Sequence, residues 1–483
     1  MGIPTFFRNL LSVYSANAIN GILGIISVPL VVVFLGNKQY GVFSIYSILA
    51  SYVALVDFGV TKHFIGLMAS NRDEEEQSAY MQKAFGWYLG LSAFLISALP
   101  LLIYIVTQFI FPLPDLFLTS LRWIVVLSVI EFILAIPTVL IQAYTLSNEC
   151  FRQYSKFIAI SGVYRYGLML FAAWLFKDPV TVVLFLVFRR VFDFAVACFI
   201  LPKPPVSSWK PKVSLREFKT ILNHSSFMSL SQILQTTIVA IGSVLINRSF
   251  GVAVLGNYRA AFDLGSKVWF FSNGIGLLVF PRFSKILSNK SERLCLLKKM
   301  YRLLEQSWIL YVLLSLLAIL VAPSILNMMK LGDEQIVLFF MILIVGICLN
   351  AHSNVSYEFL LADRRYKTVA FLVSCALILM YLSFKFLSPI AGPYAVAWAW
   401  IISQAMYALI ADELVVYNNL SSYGSNIVTI IVKLFILMMT LICLFAGLHF
   451  FSVNIHIVSP IVFITGLYAV LRDTKNIKEF FNI

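Results

Sequence analysis

Charge is scarce in this sequence. Asp, Glu, Lys and Arg make up 12% of the 483 residues, about half the share of a soluble domain. The six cysteines, Cys150, Cys198, Cys295, Cys348, Cys375 and Cys443, form no C-x-x-C pair. Most sit inside apolar runs as small hydrophobes, which leaves disulfides and metal sites without support. The chain has no G-x4-G-K-[ST], so it does not hydrolyse a nucleotide on a P-loop. It has no H-E-x-x-H and no G-x-S-x-G, and its histidines (His63, His224, His352, His449, His456) are dispersed. A regular arginine series and a TVGYG-like filter are also missing, which excludes a voltage sensor and a potassium channel.

Apolar residues, by contrast, reach 60%, and mean hydropathy is +0.90. Too little polar surface is left to cover a soluble globule. Fourteen apolar runs are near the ~20 residues that cross a bilayer, at roughly 10–35, 40–69, 84–111, 121–147, 155–176, 180–201, 221–247, 252–280, 303–329, 335–361, 367–387, 392–416, 426–448 and 455–471. They are too long for barrel strands and lack strict alternation. The first continues through Pro29 with no small-residue cleavage site and reads as a span. The expected class is therefore an all-α integral membrane protein of about 14 helices.

The formal net charge of +14 follows topology, not nucleic acid. With the N-terminus in the cytoplasm, about 23 Lys and Arg fall inside and about six outside. Both termini are thus expected in the cytoplasm. The acidic run Asp73–Glu76 reads as a solvated loop opening an interfacial helix.

A proline-rich basic stretch from Pro202 to Lys219 separates six spans from six more. The expected domains are a six-helix lobe at 1–205, a basic cytoplasmic linker at 206–220, a second six-helix lobe at 221–417, and a C-terminal helix pair with tail at 418–483. The lobes echo each other. Gly36-x4-Gly41-x-Phe43 follows the first span and Gly251-x4-Gly256-x-Tyr258 the seventh, 215 residues on. Arg152-x-Tyr154 and Arg364-x-Tyr366 lie 212 apart. Six helices per repeat preserve orientation, so these would be parallel repeats about an axis along the membrane normal. Gly86-x3-Gly90 reads as a site of close helix approach. Pro29, Pro137 and Pro281 can kink or end spans. Amides such as Asn17, Asn20, Gln142, Gln232, Gln235 and Asn350 can link helices or bind hydroxyls.

Seven cations fall within spans: Lys62, Arg165, Arg189, Arg190, Arg259, Lys267 and Lys433. Unpaired, they would cost on the order of 20 kcal/mol to insert, which argues for a polar interior. The anions singled out are fewer: Asp57, Glu131, Asp193, Asp263 and Glu358. Arg189–Asp193, Arg259–Asp263 and Asp263–Lys267 stand at i,i+4 and can neutralise each other along their helices. Arg165 has no acidic neighbour at helical spacing and is the leading candidate for an anionic ligand. Lys62, Arg259, Lys267, Arg189 and Arg190 follow. Asp57, Glu131, Asp263 and Asp193 are candidate counter-ions or coupling residues. An excess of cations, several with bidentate guanidinium geometry, favours a phosphate-bearing head group over a cation.

Leu35-Gly36-Asn-Lys-Gln-Tyr40-Gly41-Val-Phe43, then Leu55-Val-Asp57-Phe-Gly59, resembles the Wzx-type flippases of the polysaccharide transport family. That family belongs to the multidrug/oligosaccharidyl-lipid/polysaccharide superfamily. Arg364-Arg-Tyr366-Lys367 resembles the basic turn between their tenth and eleventh spans. The resemblance implies a V-shaped transporter fold of two six-helix lobes plus a C-terminal helix pair in the bacterial inner membrane. It implies a flippase, not an enzyme, carrying undecaprenyl-pyrophosphate-linked oligosaccharide to the outer leaflet by alternating access. O-antigen, lipopolysaccharide or another surface glycan would be the product. Cationic cavity residues would hold the pyrophosphate, and a proton or sodium gradient would drive transport without a cofactor. A polysaccharide polymerase and a chain-length regulator would be partners. Family members often show twelve spans, and the count here is fourteen. A multidrug/cation antiporter of the same superfamily and a membrane enzyme acting on lipid-linked glycans remain alternatives. The antiporter would depend on Asp57 or Glu131. The enzyme would usually need a large outer loop, and the outer loops here are short.

Overall fold

The protein was analysed as a computed structural model that describes residues 3–55, 64–65, 68, 73–212, 215–269, 272, 290–363 and 365–416. Asp57, Lys62, Pro281, Lys433 and the last two expected spans lie outside these residues. Among the described residues every regular element is helical. The first eight helices are α1 (Ile3–Leu35), α2 (Asn37–Leu55), α3 (Glu74–Tyr104), α4 (Asp115–Ser147), α5 (Phe151–Phe176), α6 (Pro179–Ile200), α7 (Leu215–Phe250) and α8 (Val252–Gly265). Four more follow: α9 (Lys290–Met328), α10 (Glu334–Ala362), α11 (Tyr366–Ala391) and α12 (Ala395–Val416). Eight described stretches are long and apolar enough to cross a membrane.

The helix ends follow local chemistry. Asp73 caps α3 by accepting from the Glu75 N–H, and Glu74, Glu75 and Glu76 fill the first turn. The acidic run therefore meets the positive end of a helix dipole while remaining in solvent. Asp178 caps α6, with Pro179 at its first position. Gly36 breaks α1 from α2 at φ +75°, and Gly251 breaks α7 from α8 at φ +85°. The two copies of the glycine motif thus make the same turn, in a left-handed conformation that side chains resist.

Two compact units divide the chain, Met1–Lys267 and Val268–Ile483. In the first, α1 packs on α5, α4 and α5 pack on α6, and α2 packs on α8. The α2–α8 seam is the meeting of the two glycine motifs. A Cβ on Gly41 would lie 2.3 Å from the Val252 carbonyl oxygen, and one on Gly256 would lie 1.9 Å from that of Asn37. Each second glycine admits the backbone that opens the other helix. On the α1–α5 face, Gly162 admits the Asn20 amide, which donates to the Ile158 carbonyl at 3.2 Å. The pairing of Gly86 differs from the expectation. Its open face takes the backbone of Lys212, 2.2 Å from a would-be Cβ, and Gly90 meets nothing within 4 Å. The cause is the basic linker, which lies along α3. Lys212 donates its N–H to the Gln82 carbonyl, and the Gln82 amide donates to Ser207. The motif therefore seats a loop.

In the second unit α10 is central, packed by α9 and α12, while α11 packs on α12. Trp400 is fully buried and edges into the space left by Gly346. Asn350 of α10 donates to Gln404 of α12 at 2.8 Å, so this amide links helices. Large apolar side chains such as Phe199, Phe371, Phe386 and Ile390 stand exposed. Such exposure suits a molecule whose outer faces meet lipid.

Candidate functional site

The first unit carries two groups of charges. In one, Glu131 of α4 and Asp193 of α6 face Arg189 and Arg190 of α6. Arg190 reaches Glu131 at 2.8 Å and Asp193 at 3.3 Å. Arg189 reaches Glu131 at 3.4 Å and Asp193 at 3.6 Å. Tyr46 of α2 donates its hydroxyl to Glu131. Ser161 of α5 donates to Asp193 at 2.6 Å, and Tyr164 donates to the same oxygen. All four carboxylate oxygens are engaged. The carboxylates are fully partnered, while the buried Arg189 Nε makes only a 3.6 Å ion-pair contact with Asp193.

In the second group, Arg259 pairs with Asp263 along α8, and Tyr40 of α2 donates to Asp263 at 2.8 Å. Lys267 makes no ion pair among the described residues, so the expected Asp263–Lys267 pair is not formed. Its ammonium turns instead to α1, where a Cβ on Gly24 would lie 3.2 Å from Lys267 Nζ and 3.0 Å from the Tyr166 hydroxyl. Arg165 is exposed, and its guanidinium lies 5.7 Å from the Tyr166 ring centroid. It too lacks an ion pair among the described residues.

These five cations face three carboxylates. The two left over are Arg165, whose guanidinium lies near the Tyr166 ring, and Lys267, which lies with the Tyr166 hydroxyl beside α1 at Gly24. The remainder is a positive, accessible patch with aromatic and hydroxyl groups. It can take a dianion such as a phosphate or pyrophosphate ester. Asp57 and Lys62 lie outside the described residues.

Sequence reasoning missed Tyr40, Tyr46, Ser161 and Tyr164 in this network. For α5 the signal was present: Ser161, Tyr164 and Arg165 fall at i, i+3 and i+4, one polar face on an apolar helix. It also missed a buried cluster in the second unit, where His352 of α10 meets Asp412 of α12 at 2.8 Å. Asp412 lies inside the twelfth expected span.

The architecture is that of a multi-pass membrane protein. The chain is similar to a lipid II flippase, MurJ, in an inward closed conformation, at TM-score 0.70 and 12% identity over 95% of this chain and 99% of that one. It is similar to an outward-facing multidrug resistance MATE transporter of the MOP superfamily, at TM-score 0.59 and 12% identity over 84% of this chain and 94% of that one. It is also similar to the MATE multidrug transporter DinF-BH, at TM-score 0.58 and 13% identity over 85% of this chain and 95% of that one. No curated protein matches the sequence. The chain belongs to the polysaccharide biosynthesis protein family, whose model matches residues 6–287.

Proposed function

We propose that the protein flips a lipid-linked oligosaccharide, an undecaprenyl-pyrophosphate glycan, from the cytoplasmic to the outer leaflet of a bacterial inner membrane. The glycan would feed O-antigen, lipopolysaccharide or another surface polysaccharide, with a polymerase and a chain-length regulator as downstream partners. The observation that carries this reading is that Arg165 and Lys267, which make no ion pair among the described residues, both lie near Tyr166 in a chain of this family. Two positive charges match the head group of a lipid pyrophosphate. The Tyr166 hydroxyl suits the polar link to the sugar. The lipid tail would remain against apolar helix faces while the head group crosses, as alternating access requires. A proton or sodium gradient would supply the drive. The Lys/Arg distribution puts both termini in the cytoplasm.

The test is reconstitution of the full chain in liposomes with a fluorescent undecaprenyl-pyrophosphate oligosaccharide. Accessibility of the sugar to an external glycosidase reports transfer between leaflets. Protein-dependent transfer is expected. No transfer by folded protein supplied with the host's own glycan, together with proton-coupled uptake of an organic cation, would replace this reading with the multidrug antiporter.

A further inference from the structure

His352 is fully buried and Asp412 nearly so, in the apolar interior of the second unit. Ionisable side chains in such a place are costly, and their retention marks ion or proton handling. Three helices build the cluster. His352 Nε2 lies 2.8 Å from Asp412 Oδ2. Ser356 of α10 donates to the other Asp412 oxygen at 2.6 Å. Ser307 of α9 lies 2.8 Å from His352 Nδ1 and 3.0 Å from the carbonyl oxygen of Leu304. The Trp308 ring stands edge-on to the imidazole at 5.1 Å.

The proton count follows from these contacts. The Ser307 hydroxyl has one hydrogen and two acceptors in reach. When it donates to Nδ1, the imidazole is neutral with its proton on Nε2, pointing at an Asp412 carboxylate. The pair then carries one negative charge. When Ser307 donates to the Leu304 carbonyl, it accepts from Nδ1–H. The 2.8 Å contact between Nε2 and Asp412 then needs a second proton, held by either partner. The pair is now neutral overall. Rotation of one hydroxyl therefore accommodates one added proton, and no heavy atom needs to move.

A cavity of about 10 Å³ adjoins the imidazole, lined by Trp308, Tyr311, Ser315 and Cys348 among others. That is about the least space that admits a water. Besides Asp412 on α12, the titratable groups on this wall are the Tyr311 phenol of α9 and the Cys348 thiol of α10. Glu413 follows Asp412 on α12, and α11 contributes no residue to the wall. Ser307 opens the apolar stretch Ser307–Met328. The cluster thus lies toward the end of the bundle that the Lys/Arg distribution assigns to the cytoplasm.

We infer that His352 and Asp412, with Ser307 as the switching hydroxyl, form a binding site for one proton that couples this protein to a proton gradient. Loading adds one positive charge to the buried His352–Asp412 pair. That changes the electrostatic cost of keeping α9, α10 and α12 packed together. Binding of the proton stands on the geometry above, and its use in transport rests on the flippase reading.

The experiment has two arms, both on the full chain. Histidine is labelled with ¹⁵N in purified protein, and the resonance lost in His352→Gln identifies the ring. That resonance is expected to show both protonation states of the ring as the folded protein is titrated. A single state throughout would overturn the site. In liposomes holding a pH-sensitive dye, an imposed pH gradient is expected to accelerate glycan transfer by the wild type and to move protons. His352→Gln and the near-isosteric Asp412→Asn are expected to equilibrate glycan but to lose both the acceleration and the proton flux. Wild-type acceleration in either variant would overturn the coupling role. Titration of the ring in a protein that moves no glycan would sink the flippase reading and leave the proton site standing.

Discussion

Arg165 holds its charge within an apolar helix without a carboxylate in ion-pair contact among the described residues, while Arg189 and Arg190, about three turns into α6, are held by Glu131 and Asp193. The difference decides which guanidinium can meet a ligand. Replacing Arg165 with alanine removes charge-assisted bonds worth about 1.5–3 kcal/mol, roughly a 10- to 100-fold loss of transfer rate. No buried partner is stranded, so membrane insertion and thermal stability are expected to stay near wild type. Arg165→Lys keeps the charge without the fork and is expected to fall between the two. Liposome transfer beside a thermal melt checks this, and wild-type transfer by Arg165→Ala would remove the residue from the site. Arg165 was legible in the sequence because nothing acidic stands at i±3 or i±4. The Glu131 contacts to Arg189 and Arg190 were not, since α4 and α6 meet only after folding and spacing says nothing of contacts 58 and 59 residues apart. His352 and Asp412 were illegible for the same reason. Each reads alone as an isolated polar residue, and only packing brings them within 2.8 Å.

The elements of the first unit depend on glycines whose role a pattern can flag but not define. Gly36 and Gly251 recur at a fixed offset and make equivalent left-handed turns, so the repeat in the sequence has a counterpart in backbone geometry. The partners of the second glycines were not visible in advance. Gly41 and Gly256 pack against each other's helix starts, a contact that the spacing within either motif does not specify. Gly86, read as a helix contact, seats the linker instead. Gly41→Ala and Gly256→Ala would each drive a methyl into a backbone carbonyl, at 2.3 Å and 1.9 Å. Backbone cannot rotate away as a side chain does, so α2 and α8 must separate. The expected loss is about 1–3 kcal/mol for each, read as a lower melting temperature. Gly90→Ala, with nothing within 4 Å, is the control expected to leave the melt unchanged. An unshifted melt for both Gly41→Ala and Gly256→Ala would show that the seam is looser than these distances.

At the scale of the molecule, α2 and α8 each follow a glycine turn of positive φ, at Gly36 and Gly251, and the two glycine motifs meet at the seam between them. If the proposed flippase works by alternating access it has to part some such seam, and this one is held by backbone contact and by the Tyr40–Asp263 hydrogen bond. Asp263 also pairs with Arg259, so losing Tyr40 leaves the carboxylate a partner and the fold intact. Tyr40→Phe therefore removes one link of about 1 kcal/mol from the closed seam and nothing from a parted one. A shift of that size multiplies the parted population roughly fivefold. Ser44 lies one turn beyond Gly41 and is buried, so a cysteine there reports the opening. In a background stripped of native cysteines, Ser44→Cys is expected to react with a membrane-impermeant maleimide severalfold faster when Tyr40→Phe is added. Saturating lipid-linked glycan is expected to change that rate in both backgrounds, because a ligand moves the equilibrium only by binding the two states unequally. Equal labelling with and without Tyr40→Phe would mean that the seam does not open, and alternation would then have to proceed through other helices.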